Sequence, residues 1–381
     1  MINILIINDS PMLSAVMQAI VETEENYHVC GCAEDGMLGI AKAKELNPDL
    51  ILMDLHMPRC NGAQAVAQIL KNWPGTRILI TTATVISNRT MIFETLAMGA
   101  LDYVQTPQLP FQPGQKISRQ DLREGGRSLL GKMGICLSIT QRSLASKVAK
   151  QRLPSSPKNS GKVIGQRAIK PSEKPAPLNS SGIHYLAIGC STGGPTTLAI
   201  LLKNMPADFN GPIIVCQHMD EGFVQGLVDW LSNEIHFPVF IARHQSVALP
   251  GRVYIAPGGQ HNLTVSSAGR LMLIPADPKQ FYTPNIDSLF FSMAENLGNR
   301  AIGVVLTGMG QDGSEGLAAI ETSGGAVYVQ QANSAILSSM PEHALEAIKS
   351  SNSGYLVEQM GTVIHRDISK RLKRLAPGKS R

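Results

Sequence analysis

Gly189-Cys190-Ser191-Thr192-Gly193 sets a serine between glycines at the point where a short apolar strand gives way to a helix. This G-x-S-x-G spacing places a hydroxyl on a sharp strand-to-helix elbow, where it can attack a carbonyl. The glycines tolerate the strained backbone and leave room for a substrate, while the new helix aims free N–H groups at developing negative charge. Serine between glycines also occurs in ordinary turns and phosphate loops, so these five residues alone leave a structural turn open. A serine nucleophile needs a base and a group that orients it. Two strand ends supply them: His218 closes Ile213–Gln217, and Asp312 lies in the glycine-rich loop Thr307–Gly313. The sequence holds nine histidines, and His218 is singled out because it shares the carboxyl-end edge with Ser191. A second group of candidates stands near the start of the chain, with Asn8-Asp9 after the first apolar strand, Asp54 after the third and Thr82 after the fourth. Two carboxylates from different strand ends suit Mg²⁺, which keeps several waters and takes a phosphate oxygen as a further ligand. The competing role is capping, which Asp9 before Ser10-Pro11 can fill and Asp54 before Leu55-His56-Met57-Pro58 does not explain.

Both groups require parallel strands with helical crossovers. From Asn3 to about Leu137, short apolar runs near 3–7, 28–33, 50–53, 77–82 and 102–104 alternate with amphipathic segments, the last helix spanning about Ser118 to Met133. From Gly182 onward, strands at 185–188, 213–217, 253–256, 302–306 and 327–330 alternate with helices at 196–204, 223–232, 286–296, 313–322 and 341–349. This is the pattern of two doubly wound parallel α/β sheets, whose functional crevices lie beyond the carboxyl ends of the strands.

The 381 residues suffice for two domains, and 43% hydrophobic content describes a globular chain. No apolar run reaches the roughly 20 residues that span a bilayer. The opening Met1–Asp9 lacks a basic region and reads as a strand, not a signal peptide. Six cysteines lie scattered without metal or disulfide spacing, which suits a reducing cytoplasm. The net charge of +5 is unevenly held: between Thr140 and Gly182 stand nine Lys/Arg against Glu173 alone, a local +8 that leaves about −3 for the rest. With five prolines and few large apolar residues, that segment reads as a flexible linker. Lys370-Arg371-Leu372-Lys373-Arg374 reads as a basic tail. Neither has the aromatic interleaving or folded basic face of a nucleic-acid site, so no nucleic-acid partner is expected.

Asn8-Asp9-Ser10, Asp54-Leu55-His56-Met57-Pro58 with Gly62, Thr82-Ala83 and Met98–Val104 resemble the receiver domain of bacterial response regulators, a flavodoxin-like fold. The resemblance implies that Asp54 accepts a phosphoryl group from a histidine kinase, that Asp9 and Asp54 hold Mg²⁺, and that Thr82 and Tyr103 are switch residues. Two positions depart from it: Asn8 stands where an acid is usual, and Thr106 replaces the lysine before Pro107. Ile188–Pro195, Gln217-His218-Met219, Ile255–Gly258, Ile286–Phe290 and Thr307–Gly313 resemble chemotaxis protein-glutamate methylesterases of the CheB type. The order Ser, His, Asp differs from the Ser, Asp/Glu, His order of α/β-hydrolases, so the elbow is a local likeness to that fold only. The CheB resemblance implies a triad of Ser191 nucleophile, His218 base and Asp312 orienting acid. It also implies Thr192 and Met309 lining the site, Met309 near the oxyanion region, and no cofactor for the esterase reaction.

The expected organisation is a receiver over 1–138, a linker over 139–181, a methylesterase domain over 182–365 and a tail over 366–381. The expected activity is hydrolysis of glutamate methyl esters on methyl-accepting chemotaxis receptors, with deamidation of receptor glutamines. It is expected in the cytoplasm, under a chemotaxis kinase and without membrane insertion. A hydrolase of another esterified or amidated protein, and a non-enzymatic regulator that keeps the fold, stand as alternatives. The complete triad weighs against the second.

Overall fold

The computed structural model describes residues 1–83, 85–107, 117–139, 183–280, 282–350 and 354–375, apart from the side chains of 85–89 and 373–375. The linker beyond Ile139 and the tail beyond Leu375 lie outside the described residues.

The first sheet consists of β1 (Ile2–Ile7), β2 (Tyr27–Ala33), β3 (Leu50–Asp54), β4 (Ile78–Thr82) and β5 (Asp102–Gln105), in the order β2-β1-β3-β4-β5. All its pairings are parallel, and the near-continuous burial of β1, β3 and β4 is that of strands covered on both faces. Its helices start on local signals. For α1 (Pro11–Val21), Ser10 accepts from the Leu13 N–H and Pro11 stands at the first helical position. For α3 (Gly62–Asn72), Asn61 and Gln64 form a reciprocal capping box. Between and after these lie α2 (Gly36–Leu46) and α4 (Val85–Met98). The single helix expected over 118–133 is two, α5 (Arg119–Gly125) and α6 (Arg127–Ser138). Gly126 sits at the break because a Cβ there would run into Ile20 of α1 and stand 2.9 Å from the Leu122 carbonyl oxygen.

The second sheet is formed by β6 (Tyr185–Cys190), β7 (Ile213–Gln217), β8 (Val239–Ile241), β9 (Val253–Ile255), β12 (Ala301–Val305) and β13 (Ala326–Val329). Its order is β13-β12-β6-β7-β9-β8, again parallel throughout. The helices are α7 (Gly194–Lys203), α8 (Glu221–Glu234), α9 (Ile286–Leu297), α10 (Ser314–Thr322), α11 (Ser339–Ala347) and α12 (Val357–Leu375). Two elements go beyond the sequence reading: the three-residue edge strand β8, and an antiparallel hairpin of β10 (His261–Val265) and β11 (Leu271–Pro275). A third is α12, which carries the chain in regular helix past position 365. Its buried residues Met360, Ile364 and Ile368 recur every fourth position, so the basic run from Lys370 continues an anchored helix.

The two units share an apolar interface. α4 packs along α8, with Phe93 stacked on Trp230 at 5.9 Å between ring centroids and Tyr103 of β5 tilted onto Phe223 at 4.3 Å. All four rings are buried.

Gly62 shows how closely the first unit is packed at its carboxyl edge. A Cβ at this position would collide with the Asp54 carbonyl oxygen and stand 2.8 Å from Leu55 Cα, both backbone groups that side-chain rotation cannot move. Gly62→Ala is expected to destabilise the first unit by about 1–3 kcal/mol, read as a lower midpoint of urea unfolding followed by far-UV circular dichroism.

Candidate functional site

In the second sheet the chain proceeds from β6 outward in one direction through β7, and then returns to the other side at β12. The crevice beside β6 is therefore a topological switch point, and three candidates converge there. Cys190 pairs with Gln217 across β6 and β7, so the next residue on each strand, Ser191 and His218, leaves the same edge side by side. The His218 N–H donates to the Cys190 carbonyl at 3.0 Å, and the Ser191 N–H donates to the Thr307 carbonyl at 3.0 Å. Asp312 comes in from the loop after β12 and bonds His218 Nε2 through Oδ2 at 2.7 Å. His218 Nδ1 is buried and without a partner among the described residues. No hydrogen bond joins Ser191 Oγ to His218 among the described residues, so the nucleophile stands beside the base with that link unmade.

Gly193 takes the left-handed conformation at φ 76° and opens α7, and the N–H groups of Thr192 and Gly193 have no acceptor among the described residues. The Thr192 N–H, directly after the nucleophile, is the amide that an elbow offers to an oxyanion. A Cβ on Gly308 would lie 2.8 Å from Ser191 Cβ, so glycine at 308 lets the loop after β12 close on the nucleophile. Met309 is exposed at the mouth of this loop, 40% accessible, consistent with a lining position.

Burial pushes the Asp312 carboxyl upward, but the His218 hydrogen bond and charge and the N–H groups of Ile286 and Asp287 outweigh it. The net result is a pKa below the ordinary carboxylate value. The residues that build this environment were not singled out from the sequence. Gln217 Nε2 donates to the carbonyls of Ser191 at 2.9 Å and His218 at 3.0 Å, tying nucleophile and base together. Tyr282 lies parallel to the His218 ring, 4.4 Å between centroids and 9° between planes. Gln330 Oε1 accepts from the Thr307 N–H at 2.8 Å, and Thr307 Oγ1 donates to the Thr192 carbonyl at 3.0 Å.

Thr192 is bound from the other unit. Its Oγ1 donates to Asp102 Oδ2, at the start of β5, at 2.6 Å, and Lys132 Nζ of α6 reaches the same oxygen at 2.7 Å. Asp102 and Thr192 are buried, and the Lys132 ammonium also lies 5.8 Å from the Tyr103 ring centroid.

In the first sheet, Asn8, Asp9 and Asp54 meet at the β1/β3 switch point. Asp54 is buried and accepts from the Leu55 N–H at 2.8 Å. Burial foremost, with the charge of Asp9 adding to it, raises its pKa to about 6. Asn8 Oδ1 accepts from the Ser10 N–H at 2.8 Å, while its buried Nδ2 has no partner among the described residues. An undercompensated pair of carboxylates fits a hard cation, and the unpartnered Asn8 Nδ2 could only donate to water held on it. No group of three or more His, Cys, Asp or Glu gathers among the described residues, so such an ion would rest on two carboxylates and water. Thr82 and Thr106 are buried at the same edge, linked by the Thr106 N–H to the Thr82 carbonyl at 2.9 Å, and Thr106 Oγ1 has no partner among the described residues. Tyr103, two residues after Gly-Ala-Leu at 99–101 have turned the chain into β5, faces the second unit and not this pocket.

Residues 4–111 match the response regulator receiver domain and residues 186–364 match the CheB methylesterase family. A protein-glutamate methylesterase/protein-glutamine glutaminase of Anaeromyxobacter dehalogenans is 33% identical over 346 residues, covering 91% of this chain and 91% of its own length. One from Myxococcus xanthus is 33% identical over 346 residues, covering 90% and 91%. The crystal structure of the CheB methylesterase catalytic domain of Thermotoga maritima is similar to 48% of this chain and 98% of its own, at 29% identity and a TM-score of 0.45. Likeness that runs through both units, at this identity and over nine-tenths of the length, places the chain in the CheB family: it is a receiver-regulated protein-glutamate methylesterase/protein-glutamine glutaminase of chemotaxis adaptation.

Proposed function

We propose that Ser191 is the nucleophile of this methylesterase, His218 its general base and Asp312 the acid that orients the base. The His218–Asp312 bond beside the glycine-flanked serine is the observation that carries this reading. Ser191 Oγ attacks the γ-carbonyl of a methylated glutamate, and His218 Nδ1 takes its proton. The Thr192 N–H receives the oxyanion with Met309 beside it, and methanol leaves with the proton from His218. Water then enters by the same base and releases the glutamate. A glutamine side chain follows the same course with ammonia as leaving group. Met309 lines the mouth. Receptors carrying glutamate methyl esters or glutamine are the proposed substrates, reached in the cytoplasm; no described helix is long and apolar enough to cross a membrane.

The unit over 1–138 is proposed to receive a phosphoryl group on Asp54 from a chemotaxis kinase, with the segment 139–181 as linker and the catalytic unit beginning at 182. Asp9 and Asp54 would hold Mg²⁺, which supplies charge neutralisation for phosphoryl transfer. Asn8 brings no charge to that site, and Thr106 brings no cation to the phosphate. Thr82 and Tyr103 are the proposed switch residues. Tyr103 is the one in contact with the catalytic unit, through Phe223.

Triad residues act as a unit, so Ser191→Ala and His218→Ala are each expected to lower methanol release from methylated receptor by on the order of 10⁴-fold or more. Release from Ser191→Ala equal to that of the unaltered chain would overturn the assignment.

The Asp102–Thr192 bond holds the residue next to the nucleophile against the receiver. A hydrogen bond to a buried charged group contributes about 1.5–3 kcal/mol, and a closed state weakened by that amount opens on the order of ten- to a hundred-fold more often. Asp102→Ala is therefore expected to raise methanol release by the unphosphorylated full chain several-fold. Unchanged or lower release would show that this contact does not restrain the enzyme.

Charge-assisted bonds are the strong ones at a phosphate, and carboxylates dominate attraction for Mg²⁺. The full chain is accordingly expected to respond weakly to a small phosphodonor, and Thr106→Lys with Asn8→Asp to respond more strongly. Methanol release with and without the phosphodonor, with Asp54→Ala as the control, reads both.

A further inference from the structure

Asn285 stands directly before α9 as its N-cap: Oδ1 accepts from the Ser288 N–H and from Ser288 Oγ, each at 2.7 Å. The other end of the same amide does something a cap does not require. Nδ2 donates to Asp312 Oδ1 at 2.8 Å. The first turn of α9 adds two backbone donors, Ile286 N–H to Oδ2 at 2.8 Å and Asp287 N–H to Oδ1 at 3.0 Å. With His218 Nε2 on Oδ2, four donors surround the carboxylate, two to each oxygen. The carboxylate plane cannot turn without breaking bonds on both sides, and the lone pair aimed at His218 is fixed by that restraint.

Among these donors Asn285 is the only side chain besides the base. Its amide cannot flip, because Oδ1 is engaged by Ser288 and a flip would turn an oxygen toward Asp312. Its own N–H donates to Asn262 Oδ1 at 2.9 Å, and Asn262 Nδ2 donates to Gln280 Oε1 at 2.7 Å, so the residue is braced from the hairpin side as well. Asp287 braces the opposite side, accepting from the Gly316 N–H of α10 at 2.6 Å.

We infer that Asn285 is a positioning residue of the esterase reaction, holding the triad acid in the plane and in the ionised form that His218 needs. The inference rests on the Ser191–His218–Asp312 assignment and extends it to a fourth side chain.

The test separates positioning from capping. Aspartate caps helices as well as asparagine, and alanine caps poorly. Asn285→Asp therefore keeps the cap but replaces a donor with a like charge against Asp312. Like charges sharing a site raise one carboxyl pKa strongly, and added negative charge beside the imidazole favours its protonated form. Both effects move loss of activity to higher pH. The titratable groups facing Asp312 are His218 after β7, Tyr282 before α9, Asp287 on α9 and Cys216 on β7. Glu315 of α10 acts on Asp287 and Lys132 of α6 on Tyr282, and none of these is altered.

The measurements use the full chain: methanol release from methylated receptor between pH 5 and 9, and the rate at which a fluorophosphonate labels Ser191, followed by intact mass. For Asn285→Ala, kcat and the labelling rate are expected to fall on the order of ten-fold with KM little changed. For Asn285→Asp they are expected to fall further, with the acid limb moved up by about one pH unit or more. Wild-type rates and an unmoved acid limb in Asn285→Asp, with Asn285→Ala the slower of the two, would assign Asn285 to capping alone and overturn the proposal. If Asn285→Asp does not fold, Asn285→Ala decides: a fall in kcat and labelling at constant KM supports positioning, and wild-type rates overturn it. Labelling needs no natural substrate. A chain that is labelled at Ser191 but releases no methanol would fail the substrate reading and leave the comparison of Asn285 variants standing.

Discussion

A carboxylate taken out of water must be ringed by donors or paired with a cation, or it gives up its charge. Buried acids at the working edges of this protein meet that demand in different ways, and the difference divides their roles. Asp312 is surrounded by four donors and held below the ordinary carboxylate pKa, which suits an acid that must stay charged beside an imidazole. Asp287, whose N–H donates to Asp312, has fewer donors on its own carboxylate and is raised to about 6, mainly by burial, which suits a bracing group. Asp54 is also raised to about 6, by burial first and by Asp9 after it, and a cation would relieve both. Asp102 is neutralised by Lys132 of its own unit and satisfied by Thr192 of the other, so its burial depends on the two units being together.

That dependence makes β5 the short path between the two sites. The strand is four residues long, about 13 Å at roughly 3.3 Å per residue. Thr106 follows its carboxyl end and bonds the Thr82 carbonyl at the end of β4, Asp102 begins its amino end against Thr192, and Tyr103 meets Phe223 between them.

The sequence made the strand ends readable because a parallel sheet gathers its chemistry on one edge. Ser191, His218 and Asp312 could be chosen from position alone, and the structure brings all three to one crevice. Gln217, Asn285 and Asp102 could not. Each acts through a bond to a residue 26 or more positions away, and nothing local distinguishes a glutamine closing a strand or an asparagine opening a helix from its ordinary neighbours. Asn285 hid behind its own cap, since one amide serves both duties. Short or irregular elements were lost for a related reason. The three residues of β8 carry too little pattern to register, and the basic composition of α12 past Lys370 masked the apolar stripe that anchors it.

The interface between the units combines aromatic and polar contacts of modest individual strength. Aromatic pairs such as Phe93–Trp230 and Tyr103–Phe223 contribute about 0.5–1.5 kcal/mol each beyond their burial. The bond from Thr192 to a charged acceptor contributes about 1.5–3 kcal/mol. Moving a closed population from 99% to 1% takes about 5.5 kcal/mol. The Tyr103–Phe223 contact and the Thr192 bond sit on one strand, and their joint loss comes to about 2–4.5 kcal/mol, a large part of that amount. Neither contact alone reaches it. The polar and aromatic parts of the interface are carried on the same strand, so a displacement of β5 would remove both together.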